Sequence, residues 1–214
     1  MAQGLNRVLF AIALLLAIAA IGLSAYVAFH PFIPEDAGIE RDIQATQWGP
    51  VALTFPIFTW IGDAKGFALE VIMLVGILIF NRRAWLFAAT AALTVAWYQV
   101  GINLIHRPRP TTAQVLQVTE HPGASSYPSG HTIFIVTVMV VLMMAFGYRF
   151  LPRWSYPIGW TIVGLVVVAN AIARVYTGAH WPTDVVGAIL IAAAWLTFLL
   201  SLRWISQRVL PTDR

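Results

Sequence analysis

The sequence predicts an all-α, polytopic membrane protein: one domain, 1–214, of six transmembrane helices with a further segment lying in the interface of the outer face. Three observations carry this. Charged residues make up 10% of the 214-residue chain and hydrophobic ones 59%, with a mean hydropathy of +0.78, too few charges to cover the outside of a soluble domain. Six apolar segments are long enough, at 1.5 Å rise per residue, to cross or nearly cross a hydrocarbon core of about 30 Å. Lys and Arg gather at alternate segment ends, the charge pattern of a chain threaded through a bilayer.

The segments fall near 8–29, 66–81, 84–105, 131–148, 157–174 and 184–202. The first is longer than the apolar core of a signal peptide and ends at no small-x-small cleavage site, so it reads as a span. The second is short for a full crossing. Between them, WGPVALTFPIFTWIG at 48–62 is apolar and aromatic but broken by Pro50 and Pro56, which suits a segment lying in the interface. Trp48, Trp60, Trp85, Trp154, Trp181 and Trp204 sit near segment ends, where amphipathic rings anchor at the headgroup level.

A cytoplasmic N-terminus puts Arg7, Arg82, Arg83, Arg149, Arg153, Arg203, Arg208 and Arg214 inside. Arg41, Lys65, Arg107, Arg109 and Arg174 are then outside, so the positive-inside bias favours cytoplasmic termini in a cytoplasmic membrane. The basic residues are scattered between apolar runs, without the stripe or block that would mark a nucleic-acid partner. With no cysteine in the chain, disulfides, thiolate metal sites and a cysteine nucleophile are excluded. Oligomeric state leaves no mark in the pattern.

Polar residues that membrane residence does not require form three clusters: HRPRP at 106–110, SSYPSGH at 125–131 and ARVYTGAHWPTD at 173–184. All three fall on the outer face, at ends that neighbouring antiparallel helices bring close. Arg109 and Arg174, with Arg107 as a third, offer planar forks of donors that match phosphoryl oxygens. Pro128 favours the start of a helix, which puts Ser129, Gly130 and His131 in its first turn. Their amides and the positive end of the helix dipole form an anion site.

Pro182 suits a first helical position, so His180 precedes a helix and Asp184 lies in its first turn. An aspartate four residues after a histidine can bond one ring nitrogen and leave the other as a nucleophile towards phosphorus. His131 would then protonate the departing oxygen. No metal or other cofactor is required, and a metal site from His121, His131, His180 and Asp184 is disfavoured by the arginines. His30, His106 and His121 read as interfacial. Glu70 is an intramembrane carboxylate, placed to snorkel or bond Lys65. Tyr127, Tyr176 and Thr177 either line a pocket or pack.

These residues resemble the type 2 phosphatidic acid phosphatase superfamily (PAP2), membrane lipid phosphatase branch. The match reads Arg109 and Pro110; Pro128, Ser129, Gly130 and His131; then Arg174, Gly178, His180 and Asp184. The resemblance implies that His180 is the nucleophile of a phosphohistidine, Asp184 its partner and His131 the general acid. Arg109, Ser129, Gly130 and Arg174 would bind the phosphoryl group. Two positions depart from the pattern: Ile102 stands where the first motif usually has lysine, and Ala173 where the third has serine. Arg107 is the candidate replacement for the missing cation, since Asn103 supplies only a neutral donor.

The expected activity is therefore metal-independent hydrolysis of a phospholipid or polyprenyl phosphate or diphosphate on the outer face. Phosphatidic acid, phosphatidylglycerol phosphate and undecaprenyl diphosphate all fit. The alternatives are phosphotransfer to a lipid or sugar, and a noncatalytic lipid-phosphate binder or transporter.

Overall fold

The computed structural model describes residues 4–62, 64–120 and 123–210, with Gly62, Ala64, Lys65 and Phe67 described by their backbone alone. Asp63, His121, Arg214 and the side chain of Lys65 lie outside this description. Every element of regular structure described is helical. Three elements make up the first quarter: α1 (Arg7–Phe29), α2 (Pro34–Ala45) and α3 (Phe55–Gly62), with a 3₁₀ turn at Gly49–Thr54 before α3. Then come α4 (Ala64–Phe80), α5 (Trp85–Ala92) and α6 (Thr94–Leu104). Next, α7 (Gly130–Leu142) runs through a π turn at Met143–Gly147 into α8 (Tyr148–Phe150). Finally α9 (Tyr156–Tyr176), α10 (Pro182–Ser201) and α11 (Arg203–Val209) complete the chain.

Among the described residues, five stretches are long and apolar enough to cross a membrane: Arg7–Phe29, Arg82–Leu104, Gly130–Phe150, Arg153–Tyr176 and Pro182–Ser201. The remaining expected crossing falls on α4. Its 17 residues reach about 26 Å at 1.5 Å per residue, a little short of a full core. The segment expected in the interface is the short apolar pair Gly49–Thr54 and α3, which leaves Leu53, Ile57 and Trp60 exposed. Phe55 and Phe58 turn inward against Ile135 of α7 and Ala173 of α9. On α1, Leu15, Ile18 and Ile21 are largely exposed while Ala13 and Ala20 are buried, so small residues face α10 and large ones face outward, as a lipid surface requires.

The bundle has an apolar half and a polar half. The main core joins Ile77, Phe87, Val141, Leu196 and Ile205. At the other end, Asp36, Glu40, Arg107, Ser129, Arg174, His180 and Asp184 are all buried, an arrangement that membrane residence alone does not call for.

Candidate active site

The start of α7 is fixed by its cap. Ser129 is the N-cap, one residue earlier than the first-turn place expected for it, and its Oγ accepts from the amide of Thr132 at 3.4 Å and its hydroxyl at 3.0 Å. Asn170 of α9 donates to that same hydroxyl at 3.1 Å, clipping two helices together. Ser129 is therefore fully buried and serves the helix end. Gly130 and His131 hold the first two helical positions, where amides have no partner within the helix. The ring of Tyr98 lies against Gly130, and a Cβ there would come within 3.0 Å of it.

At the start of α10, Asp184 closes the helix end by accepting from the amide of Trp181 at 2.9 Å. Its other oxygen meets Arg107 at 2.6 Å. Gly178 stands in the preceding turn with φ of +72°, and a Cβ would collide with the backbone of Val118 at 2.8 Å, which accounts for glycine at this motif position.

His180 is almost completely buried, and its Nδ1 lies 2.7 Å from the carbonyl oxygen of Ser126. A carbonyl only accepts, so Nδ1 carries the proton and Nε2 keeps the lone pair. The sequence led us to expect Asp184 in that place. Its carboxylate is 3.8 Å from Nδ1, near enough to act on the ring's charge and too far for a hydrogen bond. Burial holds His180 below the ordinary histidine pKa, Asp184 opposes this, and the Arg109 cation reinforces it.

His180, His131, Arg109 and Gly130 line one cavity of about 390 Å³. Nε2 of His131 is buried without a hydrogen-bond partner among the described residues. Arg109 spans two loops, donating to Gly123 O at 2.9 Å, to Ser125 O at 2.7 Å and to Ala179 O, which leaves further N–H groups of the fork for the cavity. The other wall is apolar, with Val95, Ile102, Ile133 and Val138, and Glu70 lines the same space. The position of the missing lysine is thus a cavity wall. Asn103 donates instead to Gln99 O at 2.7 Å.

The two remaining arginines have other partners. Arg107 donates to Pro31 O at 3.0 Å, Thr183 at 2.7 Å, Asp184 at 2.6 Å and Asp36 at 2.6 Å. It is not among the residues that line the cavity of the histidines. Arg174 is fully buried, its terminal nitrogens held by Glu120 at 2.7 and 3.1 Å and by Thr59 at 2.6 Å. Burial pushes the Glu120 carboxyl up, but the bonds from Arg174 and Thr59 outweigh it and hold the group below the ordinary range. Thr59 and Glu120 line a second cavity, of about 490 Å³, with Tyr176 and Thr177. Tyr127 packs in the interior and bonds Ser24 at 2.8 Å.

Sequence reasoning missed Ser126, Glu120, Thr59, Asp36 and Asn170. Ser126 acts through its backbone, which no residue type advertises. The others find their partners 54, 115, 71 and 38 positions away.

The model of the PAP2 superfamily matches residues 83–208, more than half of the chain. The chain belongs to the PAP2 superfamily. All three motifs fall inside the PAP2 match, whereas α2 and α3, which supply Asp36 and Thr59, lie before it. Among PAP2 relatives, an undecaprenyl-diphosphatase of Sulfolobus acidocaldarius is 37% identical over 36% of this chain and 33% of its own. Phosphatidylglycerophosphatase B of Bacillus subtilis is 31% identical over 58% of this chain and 62% of its own. The chain thus spans about a third to three fifths of the curated relatives it matches. In structure it is similar to the transmembrane PAP2-type phosphatidylglycerolphosphate phosphatase of Bacillus subtilis, with a TM-score of 0.71 and 21% identity over 91% of this chain and 96% of the other. LpxE of Aquifex aeolicus superposes with a TM-score of 0.59 and 21% identity over 78% and 93%. At these identities the likeness to the two structures establishes a shared fold.

Proposed function

We propose that this chain is a membrane-embedded, metal-independent phosphatase that removes the terminal phosphate from a lipid phosphate or diphosphate through a phosphohistidine on His180. The observation that carries the reading is the bond from His180 Nδ1 to Ser126 O at 2.7 Å, in a cavity shared with His131 and Arg109. It leaves Nε2 of His180 as a free lone pair beside a second imidazole and a cation.

In the first step His180 Nε2 bonds to phosphorus as the bond from phosphorus to the bridging oxygen breaks. Protonated His131 gives its proton to that oxygen, and the lipid alcohol or lipid monophosphate leaves. Water then attacks the phosphohistidine and passes a proton to His131. The P–N bond breaks, and inorganic phosphate departs. Arg109 and the amides of Gly130 and His131 hold the phosphoryl oxygens, with Ser129 securing the helix end that presents them. Arg174 joins once Glu120 has moved aside. Asp184 acts at one remove, through its charge and its hold on Arg107.

The substrate class follows from the cavity walls. Polar groups gather at one end, and Val95, Ile102, Ile133 and Val138 offer an apolar side against which acyl or prenyl tails lie while the headgroup reacts. Phosphatidic acid, phosphatidylglycerol phosphate and undecaprenyl diphosphate share this form, and the names of the relatives fall in the same class. The distribution of arginines supports a site on the outer side of a cytoplasmic membrane with both termini inside.

The test is phosphate release from a panel of lipid phosphates and diphosphates by purified wild type, His131→Ala and His180→Ala. Turnover of at least one substrate is expected, lowered by about 10²–10⁴-fold in His131→Ala and lost in His180→Ala. Acid-labile label on wild type but not on His180→Ala would mark the intermediate. Full activity in His180→Ala, or none in wild type across the panel, would leave binding without catalysis as the better reading.

A further inference from the structure

Outside the three polar clusters, the described residues that line the cavity of the histidines include four polar side chains: Glu70, Thr94, Tyr98 and Thr137. Two of these are spent on each other. Thr94 donates to Ala91 O at 3.0 Å, and its hydroxyl meets that of Thr137 at 3.0 Å, so the pair joins α6 to α7. Glu70, when ionised, offers a phosphoryl group only acceptors. Tyr98 is left as a donor, and among the described residues its hydroxyl has no hydrogen-bond partner.

The phenol lies at the phosphoryl end of the cavity. A Cβ on Gly130, the first residue of α7, would come within 3.0 Å of Cε2 of Tyr98 and 3.3 Å of Cζ, the carbon that carries the hydroxyl. The hydroxyl therefore sits beside the helix end whose amides receive the anion. Gly101 sets this height: a Cβ there would meet Pro128 Cδ at 2.5 Å, so glycine lets α6 press against the start of α7. Arg109 is also within electrostatic reach. Burial pulls its guanidinium below the ordinary pKa, and the charges of Asp184, then Tyr98 and Glu120, oppose that pull.

Val95 and Ile102 line the cavity from the same face of α6, three residues before Tyr98 and four after, at the spacing of helical neighbours. Ile102 brings no donor to the wall that lacks the motif lysine. Side chains on a helix lean towards its N-terminus, so a lysine at 102 would reach back over the turn of Tyr98. The phenol occupies that level. A ring with a polar tip suits the junction of the two walls, its body against the first atoms of a lipid tail and its hydroxyl towards phosphate.

We propose that the Tyr98 hydroxyl donates a hydrogen bond to an oxygen of the bound phosphoryl group, which makes Tyr98 a substrate-binding residue outside the three clusters. The ligand class rests on the phosphatase reading, whereas the binding itself is measured without turnover.

Orthovanadate is titrated onto the full chain in detergent, and its dissociation constant is taken from the rise in unfolding midpoint. Tyr98→Phe keeps the ring against Gly130 and removes only the hydroxyl. It should bind vanadate about tenfold more weakly, with the midpoint of the free protein unchanged. For any lipid phosphate that wild type hydrolyses, kcat/KM should fall by a similar factor. Adding Ile102→Lys to Tyr98→Phe should recover most of the affinity, a rescue that a merely structural role for the ring would not give. Equal vanadate affinity in wild type and Tyr98→Phe would overturn the assignment and leave the phosphatase reading intact. A folded double variant that binds no better than Tyr98→Phe would overturn it equally. Weaker vanadate binding in Tyr98→Phe, with no lipid phosphate hydrolysed by wild type, would uphold the hydroxyl's role and sink the phosphatase reading instead. A wild type that does not bind vanadate would overturn both.

Discussion

Glu120 holds both terminal nitrogens of Arg174, at 2.7 and 3.1 Å, in the bidentate geometry that a phosphoryl group would use. On the proposed reading the carboxylate competes with substrate for this fork. Glu120→Gln should remove the competing charge and keep the side chain's shape, lowering KM and the vanadate inhibition constant by about fivefold to tenfold. A raised KM at unchanged kcat would mean instead that Glu120 orients Arg174 for substrate.

The protonation of His180 sets a second expectation. Burial, with Arg109, holds its pKa below the ordinary 6.5, and only the neutral ring can attack phosphorus. The acid limb of kcat/KM, where activity falls as pH is lowered, should thus have its midpoint below pH 6.5. Asp184 opposes the shift, so Asp184→Asn should move that limb further towards acid as well as lowering the rate. A limb at or above pH 6.5 in wild type would contradict the role given to the burial of this ring.

How much of this was legible in the residues depends on how local the signal is. Helix starts were readable because Pro128 and Pro182 act within one turn, and Gly178 because its φ of +72° asks for glycine. The short second crossing was visible from its length. The hydrogen bond that fixes His180 was not, since a serine carbonyl looks like any other carbonyl in a sequence. The surroundings of Arg107 are hidden for a related reason: its neighbours in the chain match a phosphate motif, while its partner Asp36 lies 71 residues away. The same motif logic placed Arg174 at the phosphate and could not foresee a carboxylate already there.

Arg107 yields a stability prediction. It joins Asp36 and Asp184, both buried, at 2.6 Å each. Removing one partner of a buried pair costs about 3–5 kcal/mol, because the opposite charge stays behind. Arg107→Ala should accordingly lower the unfolding midpoint strongly, measured in detergent. Arg107→Lys should recover little, since a single ammonium cannot reproduce the separate bonds to Asp36, Asp184, Thr183 and Pro31. A midpoint in Arg107→Ala within a degree or two of wild type would mean the ion pairs contribute nothing net.

The proposed chemistry needs no metal, because Arg109 and the helix end supply the positive field. EDTA should leave phosphate release unchanged, and vanadate should inhibit by taking the place of the phosphoryl group. Loss of activity in EDTA that a divalent ion restores would overturn this.

Glu40 gives the last test. It is fully buried in α2, its Oε2 has no partner among the described residues, and its Oε1 lies 3.5 Å from Gln44 Nε2. Burial, then the charges of Asp184 and Asp36, raise its pKa from 4.5 to about 9, against a smaller opposing pull from Arg107. The folded protein thus keeps a proton that the unfolded chain releases between those values. Stability from this group is greatest below pH 4.5 and declines as pH rises towards 9, by up to about 1.4 kcal/mol per unit. Glu40→Gln keeps the shape and cannot ionise, so it should flatten the fall in unfolding midpoint between pH 6 and 9 (roughly the alkaline half of that window). Its advantage over wild type should grow with pH. A wild type and variant whose midpoints stay parallel across the range would show that Glu40 finds a counter-charge when it ionises.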